Sequence, residues 1–130
     1  MDPTILVVDD DPHLREVIAD ALSDEGYSVQ QAADGEYALA HIARATPDLV
    51  LSDVAMPRLS GVELAAHLTR RDDPVPIVLM SATAIAPPAG VATFLRKPFG
   101  VDELLALIAS TLGKSTRRNC TAAGAMLYGR

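Results

Sequence analysis

Strand-length runs recur along the chain at residues 4–8, 28–32, 49–52, 76–80 and 94–96, and most of the segments between them have a helical period. This alternation limits the fold more than any other feature does. Thr4–Val8 is a short continuous apolar run, the pattern of a strand buried on both faces. Asp11-Pro12 reads as the N-cap and first position of a helix. Leu14, Val17, Ile18, Ala21 and Leu22 form its apolar stripe, and Gly26 ends it. Asp34 caps a second helix, expected over Gly35–Ala45 and stopped by Pro47. Ser60-Gly61-Val62-Glu63 is a capping box that opens a third helix, expected to about Arg71. Val101, Leu104, Leu105, Ile108 and Leu112 stripe a last helix, with Gly113 expected to close it. Strand–helix alternation implies an α/β fold: a parallel sheet, wound right-handed, with helices on both faces.

Composition narrows the function. The chain has 130 residues, a single domain by length. Apolar residues make up 49% but aromatics only 4%, so the core must be built from Val, Ile, Leu and Ala. All 17 acidic residues and 7 of the 11 basic ones precede Lys114, so residues 1–113 carry a net −10 and the segment after them is basic. An acidic body argues against binding nucleic acid by phosphate neutralisation. The single cysteine, Cys120, leaves no intramolecular disulfide and no Cys-based metal site, as suits a reducing cytosol. The sequence shows no signal peptide and no membrane-length apolar run, so a cytoplasmic protein without membrane attachment is expected.

Ligands of such sheets bind at the carboxyl ends of the strands. There the sequence places Asp9 and Asp10 after the first strand, Asp53 after the third, Ser81 after the fourth and Lys97 after the fifth. Singly, each has a bland reading: Asp9 and Asp10 as a solvated turn, Asp53 as a turn residue, Lys97 as a surface lysine. Those readings would have to hold at four strand ends together. Asp11 is explained by its cap. Like charges about 4 Å apart repel by roughly 4 kcal/mol at an effective dielectric near 20. A hard divalent cation relieves that repulsion, and Mg2+ is the usual choice where phosphate is handled. Phosphoryl transfer to a carboxylate is the chemistry that needs this set.

"ILVVDDDPHLREVIADAL", "PDLVLSDVAMPRLSGVEL", "PIVLMSA" and "FLRKPF" resemble the motifs of response-regulator receiver domains, the phosphoacceptor half of two-component signalling, over about Thr4–Leu112. The resemblance implies a flavodoxin/CheY-like fold of five parallel strands in the order 2-1-3-4-5. It implies Asp53 as phosphoacceptor, taking the phosphoryl group from a sensor histidine kinase or a phosphotransfer protein. It gives Mg2+ to Asp9, Asp10, Asp53 and the backbone carbonyl of Ala55, with Asp10 direct and Asp9 partly through water. Ser81 and Lys97 would bind the phosphoryl oxygens, and Phe94 takes the place of the switch aromatic. Met56, Pro57 and Gly61 match the turn after the acceptor, and the peptide before Pro98 resembles the family's cis bond.

Two departures stand out. Phe94 has no hydroxyl, so any switching there must work by packing. The crossing after Ser81 offers only the 11 residues "ATAIAPPAGVA" at 82–92, and Pro87-Pro88 oppose a helix. The family's fourth helix is therefore expected to be missing or reduced to a turn, which unsettles the usual output face. Residues 1–113 are read as the receiver and 114–130 as a basic C-terminal tail or linker too short for a DNA-binding domain, so output through an unidentified protein target is expected. His13, His41 and His67 fall on helices, away from the strand ends. A receiver fold used only as a binding module is the main alternative. A haloacid-dehalogenase-type phosphatase with Asp9 and Asp11 is a remote one, and it leaves Asp53 and "KPF" unexplained.

Overall fold

Branched apolar residues form the strands of the computed structural model, which describes residues 2–56, 58–71, 74–82 and 91–119. The strands are β1 Thr4–Val8, β2 Ser28–Ala32, β3 Leu49–Asp53, β4 Ile77–Ser81 and β5 Val91–Arg96. The helices are α1 Pro12–Asp24, α2 Gly35–Arg44, α3 Gly61–Thr69 and α4 Val101–Asn119. All neighbouring strands pair in parallel, in the order β2-β1-β3-β4-β5, as expected. Chain order and space order reverse at β1, so the loops after β1 and β3 leave in opposite directions and open a crevice at their carboxyl ends.

Side chains alternate across the sheet and build one core on each face. Ile5, Val7, Leu51 and Met80 pack with Ile18 and Leu22 of α1 and with Leu104 and Ile108 of α4. Leu6, Val8, Val50 and Leu79 pack with Ile42 of α2 and with Leu64 and Leu68 of α3. β1, β3 and β4 carry this burden: apart from Thr4 all their residues are buried. Each Leu or Ile side chain so buried contributes about 1.5–3 kcal/mol. The strands beside the crevice are thus the most firmly held.

The caps are those written in the sequence. Asp11 accepts the N–H groups of His13 and Leu14 at 3.0 and 3.4 Å. At the other end of α1, Tyr27 N–H bonds to Leu22 O and Gly26 N–H to Ser23 O, a Schellman closure with Gly26 at φ 95°. Ser60 and Glu63 make both bonds of the capping box, at 3.2 and 2.9 Å.

Two boundaries differ from expectation by more than two residues. β5 begins at Val91 rather than Phe94, because Val91 pairs with Ile77 and Thr93 with Val78 across an irregularity that takes up the extra residue. Gly113 does not close the last helix, which continues to Asn119. Glycine costs a helix interior only about 0.5–1 kcal/mol, and no proline follows to stop it. The first residues of the expected tail are therefore helical, and residues 120–130 lie outside the described residues. So do Pro57 and residues 83–90, on which the expectation of a lost fourth helix falls. Among the described residues, no helix is long and apolar enough to cross a membrane.

A Cβ added at Gly113 would meet nothing within 4 Å. Gly113→Ala is therefore expected to stabilise the protein by about 0.5–1 kcal/mol, measured by urea denaturation of the full chain. A loss of stability would contradict a continuous helix through residue 113.

Candidate functional site

Asp9 leaves β1 with its N–H bonded to Ala32 O of the neighbouring β2, which turns its side chain into the crevice. The residue is 1% exposed. Its Oδ1 accepts the Asp11 N–H at 2.9 Å, but Oδ2, also buried, has no hydrogen-bond partner. The nearest cation, Lys97 Nζ, is 3.6 Å from Oδ2, beyond hydrogen-bond reach. Burial pushes the Asp9 carboxyl above its ordinary range. The Asp11 N–H and the Lys97 charge oppose that rise, and the charges of Asp53 and Asp10 add to it. Asp10, the next residue, is exposed.

Asp53 ends β3 and is 8% exposed. The following residue, Val54, donates its N–H to Met80 O at 2.9 Å, which fixes the end of β3 against β4. Lys97 reaches the acids because β5 ends beside β4: its N–H bonds to Ser81 O at 2.8 Å, and a cis peptide joins it to Pro98. Its ammonium stands 3.3 Å from Asp53 Oδ1. Asp9, Asp10 and Asp53 each offer one oxygen, and all three atoms lie within 4.8 Å of one another. Three carboxylates facing a single ammonium leave the site short of positive charge.

Ser81 is buried at the end of β4. Phe94 lies opposite Leu79 and packs, half-buried, on the α2–α3 core. Ala55 is exposed and Met56 half-buried. Gly61 backs directly onto Asp53: a Cβ there would overlap the Asp53 carbonyl oxygen. His13 and His67 are exposed on α1 and α3. His41 departs from expectation. It lines a shallow depression of about 390 Å³ with Gln31, Ala32 and Ala33, beside the end of β2.

The motifs did not single out Arg15. It donates from one guanidinium nitrogen to the Asp9 carbonyl at 2.7 Å and from Nε to Gln31 Oε1 at 3.1 Å. It sits one turn past the Asp11 cap, where an arginine on α1 lies over the β1–α1 loop, and that position was its only signal.

The family model of the response regulator receiver domain matches residues 5–109, and the chain belongs to that family, which serves two-component signalling. It is 42% identical over 118 residues to response regulator MprA of Mycolicibacterium vanbaalenii, covering 86% of this chain and 51% of the relative. To MprA of Mycobacterium tuberculosis (strain ATCC 25177 / H37Ra) it is 38% identical over 134 residues, 98% of this chain and 58% of the relative. The chain thus spans about half the length of the curated relatives it matches. Among solved structures, it is similar to response regulator TrrA of Thermotoga maritima, described as in complex with Mg(2+)-BeF. That match has a TM-score of 0.77 and 33% identity, over 85% of this chain and 99% of that one. The receiver domain of a putative Luxo repressor protein from Vibrio parahaemolyticus aligns with a TM-score of 0.86 and 25% identity, over 92% and 97% of the two chains.

Proposed function

We propose that this receiver accepts a phosphoryl group on Asp53 from a sensor histidine kinase or a phosphotransfer protein, in a Mg2+-dependent reaction in the cytoplasm. It then signals by contact with a protein target. The observation that carries this reading is the acidic triad, in which a buried carboxylate oxygen of Asp9 has no hydrogen-bond partner. Buried polar atoms are nearly always satisfied, so an orphan of this kind asks for a ligand. Three hard oxygen donors with excess negative charge fit a divalent cation held by Asp9, Asp10, Asp53 and the Ala55 carbonyl. When bound, the cation supplies positive charge that offsets the carboxylates and the incoming phosphoryl oxygens.

The chain's own groups do the rest. Asp53 attacks phosphorus through a carboxylate oxygen, forming a P–O bond as the P–N bond of the donor phosphohistidine breaks. The electron pair of that bond returns to the imidazole nitrogen. Lys97, already beside Asp53, balances charge on the transferred oxygens, and burial of Asp53 keeps bulk water from solvating that charge. The Ser81 hydroxyl closes on the same oxygens. Phe94, lacking a hydroxyl, follows that movement only by repacking on the core beneath it. We assign this role to residues 1–113 and treat 114–130 as a basic appendage reached through the end of α4.

Intact-mass spectrometry after incubation with acetyl phosphate tests the proposal. A one-phosphoryl adduct is expected on the wild type in Mg2+, and none in EDTA or on Asp53→Asn. An adduct of equal yield on Asp53→Asn would remove Asp53 from its role. No adduct from either acetyl phosphate or a histidine kinase would favour the binding-module reading.

A further inference from the structure

Among the described residues, Arg58 is the one residue other than glycine with a positive φ, 69°. A bulky side chain is uncommon and strained in that region, and glycine would relieve the strain. The reach of the arginine explains its presence. Its guanidinium forms an ion pair with Oδ2 of Asp34, whose side chain is only 4% exposed. Asp34 is also the N-cap of α2, where its Oδ1 accepts the Tyr37 N–H at 2.9 Å. A second contact lies alongside. A Cβ on Gly35, the first residue of α2, would come 2.6 Å from the Leu59 carbonyl oxygen and 2.7 Å from Leu59 Cβ. Residues 58 and 59 are therefore fastened to the N-terminus of α2.

The near end of the same loop is fastened separately. Val54 N–H bonds to Met80 O and Gly61 N–H to Val54 O, each at 2.9 Å. Ala55 and Met56 lie between the two anchorages, and Ala55 is the one whose carbonyl the cation-site reading uses. Where that carbonyl lies depends on where both anchorages hold the chain. Only one of them is built from charge.

We infer that Arg58 and Asp34 are positioning residues, an ion-paired latch that ties the loop after Asp53 to α2 and so sets the backbone completing the acidic site. This rests on the cation-site reading above and gives neither residue a contact with the ligand. Because Asp34 is buried, water cannot readily replace its partner, unlike the usual surface pair. Its carboxyl is held below the usual range, chiefly by the Tyr37 N–H, with the Arg58 charge countering the cost of burial. The latch is therefore charged throughout the neutral range.

The test uses the full chain with Arg58→Gly, Arg58→Lys, Asp34→Asn and the double variant Arg58→Gly/Asp34→Asn. Arg58→Gly removes the guanidinium while relieving the backbone, and Asp34→Asn keeps a good cap. Calorimetric titration with Mg2+ is expected to show affinity weakened by roughly three- to tenfold in each, at or below the range for residues that orient metal ligands. The double variant should be no weaker than either single one, since the two act as a unit. Arg58→Lys should recover most of the affinity. Hydrogen exchange at amides 54–56, measured without metal, should quicken in Arg58→Gly and Asp34→Asn. A merely structural arginine would change thermal stability and neither of these readouts. Unchanged Mg2+ affinity together with unchanged exchange at 54–56 overturns the latch. If the wild type binds no Mg2+, the cation-site reading falls. The exchange at 54–56 then decides the latch, supporting it if faster and overturning it if unchanged.

Discussion

Asp9→Asn is expected to make the metal-free protein more stable by about 1–3 kcal/mol, the range for an unsatisfied buried polar group. It should also abolish the stabilisation that Mg2+ is expected to give the wild type. Asn keeps an Oδ1 to accept the Asp11 N–H, so the turn into α1 survives. What it removes is a buried charge whose second oxygen has no hydrogen-bond partner and whose neighbours include the carboxylates of Asp10 and Asp53. Lys97 is then left to Asp53 alone, at 3.3 Å. Wild type and variant would be compared by urea denaturation in EDTA and in Mg2+. Ligand binding raises stability only for the chain that binds, so the order of the two proteins should reverse or close up as Mg2+ is added.

The pH dependence has a definite sign. Burial raises the folded Asp9 carboxyl above its ordinary 3.8. Between 3.8 and that higher value the native state keeps a proton that the unfolded chain has lost, so stability falls as pH rises through the interval. The destabilisation is complete above that higher value and disappears as pH falls below 3.8. Asp34, held below its usual range, contributes the opposite slope, but equally in both proteins. The difference between wild type and Asp9→Asn in EDTA should therefore shrink on acidification. A variant less stable than wild type at pH 7 in EDTA would mean that the Asp9–Lys97 attraction outweighs the cost of burial.

The placement of the same residues shows where sequence reasoning succeeds. Asp9, Asp10, Asp53, Ser81 and Lys97 were legible because each follows an apolar run, and parallel strands bring their carboxyl ends to one edge regardless of distance along the chain. Capping is local, so Asp11, Ser60 and Glu63 were equally legible. The contrast between buried Asp9 and exposed Asp10 was not, because neighbouring residues of one type are separated only by which way the chain turns. The Arg58–Asp34 pair spans 24 positions and needs a positive φ at an arginine, which no local preference announces. Gly113 misled for a related reason: glycine is a stop signal only when the chain turns left-handed there, as at Gly26, and α4 runs straight through.

Gly61 belongs to both fold and site, and Gly61→Ala is expected to cost about 3 kcal/mol, the upper end of overpacking penalties. The residue needs glycine for space, since its φ is not among the positive ones. An added Cβ would overlap the Asp53 carbonyl oxygen and lie 3.0 Å from Val54 Cα and 3.1 Å from the Asp53 carbonyl carbon. All three atoms are backbone, so no rotamer change relieves the clash. Nor can that backbone retreat freely, because Val54 N–H is bonded to Met80 O and Gly61 N–H to Val54 O. Either α3 lifts off, loosening Leu64 and Leu68 from the core, or the end of β3 parts from β4 and carries Asp53 away from Lys97. Both routes lower stability, but only the second alters the site. The two are separated by measuring urea stability and the rate of Mg2+-dependent phosphorylation by acetyl phosphate on one variant. Asp53 is held by strand pairing in the middle of the sheet, whereas α3 is a nine-residue helix resting on one face. The helix should therefore yield first, with phosphorylation slowed by less than the stability loss suggests. A variant that keeps its stability but no longer phosphorylates would show instead that the end of β3 is the softer element.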